Sequence, residues 1–129
     1  MRFVETERAP RPGGHYSQAV VHGGTVYVAG QLPIDPADPK APPGDAAAQT
    51  RQALENTRGI LEAAGSGLDH ALQVTIYVSD ISHWGEVNRV YTQMMGDHRP
   101  ARAVVPTRDL HYGYLVEIQT VAALREGVE

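Results

Sequence analysis

The sequence predicts an α+β fold in which two helices cover one face of a mixed six-stranded sheet. Three observations predict it. Residues 72–79 alternate apolar and polar with a period of two, and apolar or small residues in 47–64 recur at spacings of three and four. The elements also fall in the order β-β-β-α-β-α-β-β, which places both helices beside a sheet that needs covering. With 129 residues the chain makes one domain, 1–129.

Phe3-Val4 reads as a short opening strand. Ala9-Pro10-Arg11-Pro12-Gly13-Gly14 is turn-rich and leads into His15-Tyr16-Ser17-Gln18. Ala19–His22 and Thr25–Ala29 flank Gly23-Gly24, a two-residue hairpin signal. Four prolines between Asp35 and Gly44 exclude a helix or a central strand, so that stretch is a surface loop. Asp45 is the expected N-cap of the first helix, whose inner face carries Ala47, Thr50, Leu54, Thr57, Leu61 and Ala64, and Gly65 ends it. Gly59 inside that helix costs about 1 kcal/mol relative to Ala, which points to close packing by a strand.

In the next strand Leu72, Val74, Ile76 and Val78 share one face, and Gln73, Thr75, Tyr77 and Ser79 the other. The second helix follows Ser82, with Trp84, Val87, Tyr91 and Met94 on one side and Gly96 as its stop. Ala101–Val105 is a short strand broken by Pro106, and Leu115–Leu124 a long last one. The Thr75/Tyr77 face is polar enough to be wet or to line a subunit interface.

Composition narrows the function. Hydrophobic residues at 42% and charged residues at 20% describe an ordinary folded protein. No apolar run reaches the roughly 20 residues of a membrane span, and Met1–Glu5 lacks a signal peptide's apolar core. There is no cysteine, which excludes disulfides, thiolate catalysis and Cys-based zinc sites. These features point to the cytoplasm. A net charge of −4, one lysine (Lys40) and scattered arginines disfavour nucleic acid as a partner. No phosphate-binding glycine loop, nucleophile elbow or dinucleotide fingerprint occurs. No two of the six histidines stand at i, i+4 on a helix, so no metal site is expected.

What remains is a set of polar residues inside apolar strands. Arg102 heads Ala103-Val104-Val105. Its guanidinium is either ion-paired with an internal carboxylate or a fork waiting for a ligand carboxylate. Glu117, between Val116 and Ile118, is either that internal partner or a buried carboxylate held for proton handling. Asn88, beside Val87, has the ordinary reading of a packing or capping hydrogen bond, and Tyr16 is weaker still when read singly.

Read together, five blocks resemble the Rid family of reactive intermediate deaminases, also called YjgF. They are Gly14-His15-Tyr16-Ser17-Gln18-Ala19-Val20, Val28-Ala29-Gly30-Gln31-Leu32-Pro33, Val87-Asn88-Arg89-Val90-Tyr91, Pro100-Ala101-Arg102-Ala103 and Val116-Glu117-Ile118. The resemblance spans nearly the whole chain, and the Pro-Ala-Arg block is its most diagnostic part. It implies a chorismate-mutase-like α+β fold and a homotrimer whose sheets meet in a central barrel, with sites between subunits. It also implies hydrolysis of 2-imino acids and their enamine tautomers, such as 2-aminoacrylate, to 2-ketoacids and ammonia, with no cofactor.

By position, Arg102 would then bind the substrate carboxylate. Glu117 and a backbone carbonyl near Val104 would position water and move protons. Tyr16 would contact substrate across the interface, Asn88 would support, and Gly30 would let backbone approach the ligand. Several positions depart from the family pattern. Ala29 stands for a serine, Val104 for a frequent cysteine, His15 and His111 for prolines, and Pro106 interrupts the strand. His15 and His111 are expected near the cleft mouth, where they would alter substrate preference; the plain alternative is solvent-exposed filler. Two other functions stay open: a metabolite-binding or regulatory protein without catalysis, and an endoribonuclease.

Overall fold

Gly23 and Gly24 both take positive φ, 60° and 80°, so the chain reverses within two residues and His22 pairs with Thr25. This hairpin joins β2 (Ala19–His22) to β3 (Thr25–Gln31) in the computed structural model, which describes residues 1–126. β1 (Arg2–Val4) lies antiparallel on β2. β6 (Val116–Ala123) runs antiparallel between β3 and β4 (Ala71–Val78). β5 (Ala101–Pro106) lies parallel to β4, giving a mixed six-stranded sheet in the order β1-β2-β3-β6-β4-β5. β5 is an edge strand, which is why Pro106 can be its last residue: an edge tolerates a missing N–H.

α1 (Ala46–Ala64) lies over β3 and β6, and α2 (Trp84–Met95) packs beside α1. The Asp45 carboxylate accepts from the Ala48 N–H at 2.9 Å, and Gly65 closes α1 in the left-handed region, as the sequence predicts. Leu54, Ile60 and Leu61 of α1 are fully buried, as are Val26, Ile76 and Ile118 of the strands. Each such side chain contributes about 1.5–3 kcal/mol of apolar burial.

Three local expectations are corrected. A bulge between Ala71 and Gln73 makes Ala71, not Leu72, the buried partner of Val74, and Leu72 is 51% exposed. A Cβ on Gly59 would sit 2.8 Å from the Cβ of Arg8 and 3.0 Å from its carbonyl oxygen, so the close neighbour is the segment after β1, not a strand. The second helix is led in by a 3₁₀ turn, Ile81–His83, capped by Asp80 through the Ser82 N–H. The regular helix starts at Trp84, which is exposed, and buries Val87, Val90, Tyr91 and Met95.

The sheet face away from the helices carries Phe3, Val20, Tyr27 and Val121 in one paired row across four strands. Phe3 and Tyr27 are exposed, and no described element covers this row. On the same face the Tyr77 hydroxyl donates to Gln119 at 3.2 Å.

Past the end of β6, Arg125 donates to both carboxylate oxygens of Asp69, at 2.6 and 3.1 Å, pinning that end to the turn after α1. The Arg125 hydrogen bond is the main reason that the Asp69 carboxyl falls from 3.8 to about 2. A depressed carboxylate stabilises the fold above its unfolded pKa and loses that stabilisation as pH falls through the folded one. Thermal melts of wild type and Arg125→Ala are therefore expected to differ slightly at pH 7, the groups being exposed, and to converge between pH 4 and pH 2.

Candidate active site

Arg102 pairs in register with Val74, whose side chain is buried beneath the helices, so Arg102 projects to the helix side of the sheet's edge. There its Nη1 donates to Oδ1 of Asn88 at 2.8 Å, and its Cζ lies 4.9 Å from the centroid of the Tyr91 ring. Asn88 and Tyr91 stand one turn apart on α2, so one helical face supplies both supports. Tyr91 is only 7% exposed, and burial raises its phenol pKa against the opposing pull of the Arg102 charge. Its hydroxyl has no hydrogen-bond partner among the described residues, so the ring serves as a flat support. Both supports are neutral. Among the described residues no carboxylate pairs with Arg102, and the guanidinium stays exposed.

Glu117 lies on the other face. Its neighbours Val116 and Ile118 are fully buried, so the side chain between them turns away from the helices. It comes against Gly30, where β3 bulges between Val28 and Gln31. A Cβ on Gly30 would collide with Oε2 of Glu117 and lie 3.2 Å from its Cδ. The φ of Gly30 is not positive, so the glycine is needed for space rather than for backbone freedom. Tyr16, Gly30, Glu117, His111 and Tyr112 line a cavity of about 410 Å³. Tyr16 reaches it from a folded-back loop, its hydroxyl accepting from the Gly13 N–H at 3.2 Å.

Three buried amides hold the loops around this cavity, and sequence reasoning missed their roles. Gln18 donates to the carbonyls of Thr6, Ala9 and Pro10 and accepts from the Thr6 N–H, fixing the rim before β2. Asn56 donates to the Leu32 and Ile34 carbonyls at 3.1 and 2.9 Å. Gln49 accepts from the Leu115 N–H at 2.7 Å and so places the loop that enters β6. The available signal was a polar residue on an otherwise apolar face, since buried amides need partners.

The residues expected to act together thus divide into two groups within one chain. Tyr16, Gly30, Glu117 and His111 share the cavity, whereas Arg102 and Asn88 lie across the sheet from it. Val104, beside Ile76 on the edge strand, turns its side chain partly into the core. His15 is exposed on the Tyr16 loop and does not line the cavity. Opposite faces also remove Glu117 as an ion-pair partner of Arg102 in the same chain. Asn88 does not cap its helix; its side chain makes a hydrogen bond from α2 to the Arg102 guanidinium on β5.

Residues 6–124 match the family described as Endoribonuclease L-PSP. The chain belongs to that family. It is the one that the five sequence blocks resemble, known also through its YjgF, RutC and Rid members. Among L-PSP family proteins, a RutC family protein of Pyrococcus horikoshii is 44% identical over 92% of this chain and 94% of its own length. A 2-iminobutanoate/2-iminopropanoate deaminase of Rattus norvegicus is 36% identical over 94% of this chain and 88% of its own. The crystal structure of E. coli TdcF with bound serine superposes with a TM-score of 0.90 at 32% identity, covering 95% of this chain and 98% of that one. No helix among the described residues is long and apolar enough to cross a membrane.

Proposed function

We propose that this protein hydrolyses reactive 2-imino acids and their enamine tautomers, releasing the 2-ketoacid and ammonia. The observation that carries the reading is Arg102, a guanidinium held by two neutral groups with its charge uncompensated and its remaining N–H donors exposed. Such a fork suits a carboxylate, which it can bind through two parallel hydrogen bonds. Relatives named for 2-imino acid deamination and a relative holding serine, itself a 2-amino carboxylate, support the same ligand class.

The reaction asks little of the protein. Water adds to C2 of the imine to give a carbinolamine, which expels ammonia as the carbonyl forms. Glu117 passes a proton from the attacking water to the imine nitrogen, and then carries the carbinolamine hydroxyl proton to the same nitrogen as ammonia leaves, while Arg102 holds the carboxylate. Orientation and one proton carrier supply the acceleration, with no cofactor. Because Arg102 and Glu117 face opposite sides of their own sheet, the site is completed between copies. One copy gives Tyr16, Gly30 and Glu117, and the next gives Arg102, Asn88 and the edge backbone at Val104. A homotrimer with three such clefts fits this division, and the uncovered Phe3/Tyr27 row offers an apolar face for assembly.

The test is direct. Threonine dehydratase generates 2-aminoacrylate or 2-iminobutyrate in situ, and 2-ketoacid formation is followed with semicarbazide as the competing trap. Hydrolysis faster than buffer, without added cofactor, is expected. A rate equal to buffer would sink the enzymatic reading and leave the ligand-binding one.

A further inference from the structure

Arg102 carries a long, rotamer-rich side chain on the edge strand β5, whose backbone pairs with β4 alone. Unsupported, a guanidinium there samples many poses, and only some present its fork to a carboxylate. The competent fraction scales the apparent affinity for any ligand. A contact that narrows those poses therefore acts on substrate binding.

Two contacts narrow them. The bond from Nη1 to Oδ1 of Asn88, 2.8 Å long, fixes one nitrogen but leaves a pivot about that point. The Tyr91 ring meets the guanidinium over its face, with Cζ 4.9 Å from the centroid, and closes the pivot. The ring is itself held, as part of the hydrophobic core with Val87 and Met95 on the buried side of α2. Both contacts form within one chain, so they are in place before copies assemble.

The Tyr91 hydroxyl has no share in this. It makes no hydrogen bond among the described residues, and burial raises its pKa, which keeps it a neutral phenol. What faces Arg102 is thus a ring with negative charge density on its face, not a counter-ion. A carboxylate in that place would neutralise the guanidinium and compete with substrate for its N–H donors. A ring attracts the cation and occupies none of them.

We propose that Tyr91 is a positioning residue of the reaction: the face of its ring holds the Arg102 guanidinium in the pose that receives the substrate carboxylate. The proposal rests on the imine-hydrolase reading and gives Tyr91 no contact with substrate. The carboxylate is unchanged between bound imine and transition state, so loss of the pose raises KM and leaves kcat nearly as it was. A merely structural role would do the reverse, lowering kcat with the share of folded protein and sparing KM.

Steady-state hydrolysis of 2-iminobutyrate by the assembled protein tests it, with Tyr91→Phe and with phenylalanine carrying three ring fluorines at the same position. Fluorine keeps the shape of the ring, and so the fold, while withdrawing charge from its face. Tyr91→Phe is expected to keep KM within about twofold of wild type, and the fluorinated ring to raise it about three- to thirtyfold at unchanged kcat. A KM that ignores fluorination, or one that rises as far in Tyr91→Phe, overturns the proposal. Calorimetric binding of 2-oxobutyrate, the ketoacid product, separates the failures. Where wild type hydrolyses the imine and fluorination moves neither KM nor the Kd of the product, only the Tyr91 role falls. Where wild type neither hydrolyses the imine nor binds 2-oxobutyrate, the imine-hydrolase reading and the proposal fall together.

Discussion

Arg102→Ala is expected to lower kcat/KM for 2-iminobutyrate by about 30- to 4,000-fold, equivalent to about 2–5 kcal/mol, because the substrate carboxylate enters the cleft without its cation. The loss should come with almost no change in melting temperature. Arg102 is exposed on an edge strand, and its removal takes away one hydrogen bond to Asn88 and a contact with the Tyr91 ring. This separation of activity from stability is what distinguishes a ligand anchor from a structural arginine. Arg102→Lys sharpens it, since lysine keeps the charge but loses the planar fork. A partial recovery, well short of wild type, is expected from kinetics under the semicarbazide assay. Full activity in Arg102→Ala would remove the carboxylate anchor from the proposal.

Much of the fold was legible because its signals were local. Gly23-Gly24, the Asp45 cap and the Gly65 stop each act through backbone geometry within a few residues, and each lies where the sequence predicts. The misreadings arose where tertiary packing or local irregularity overrode the periodicity. Leu72 breaks phase with Val74 at a bulge, and no alternation rule locates a bulge in advance. Gly59 announced a close approach without naming its partner, the Arg8 segment.

The candidate site was legible as a list of residues and illegible as an arrangement. Arg102 and Glu117 each stand out as charges between apolar neighbours, and strand alternation assigns each a face of its own strand. Which faces coincide depends on the order β6-β4-β5 and its registers, which put Val74 beside Arg102 and Tyr77 beside Glu117. The open question of whether Glu117 simply neutralises Arg102 was therefore one of sheet topology, and within one chain the answer is negative.

Glu117→Gln is expected to reduce kcat by about 10²- to 10⁴-fold, the usual contribution of a positioned proton carrier, with a smaller change in KM. The amide keeps the size of the carboxylate beside Gly30, so the fold should be undisturbed. Gly30→Ala approaches the same defect from the other side. Its methyl group would clash with Oε2, and because that atom ends a flexible side chain, the carboxylate moves and the fold persists. Activity should fall while the melting temperature changes little.

Combining the two damaged chains decides how the site is built. In a co-expressed oligomer of Arg102→Ala and Glu117→Gln subunits, each inactive alone, a cleft between copies can receive its arginine from one chain and its glutamate from the next. Random assembly then regenerates about a quarter of the wild-type sites, since each intact half is drawn with a chance of about one half. A site contained within one chain would regenerate none. Recovered activity would therefore place Arg102 and Glu117 on different subunits of one catalytic cleft. Its absence, with both single variants folded and assembled, would mean that the two faces of this sheet serve separate purposes.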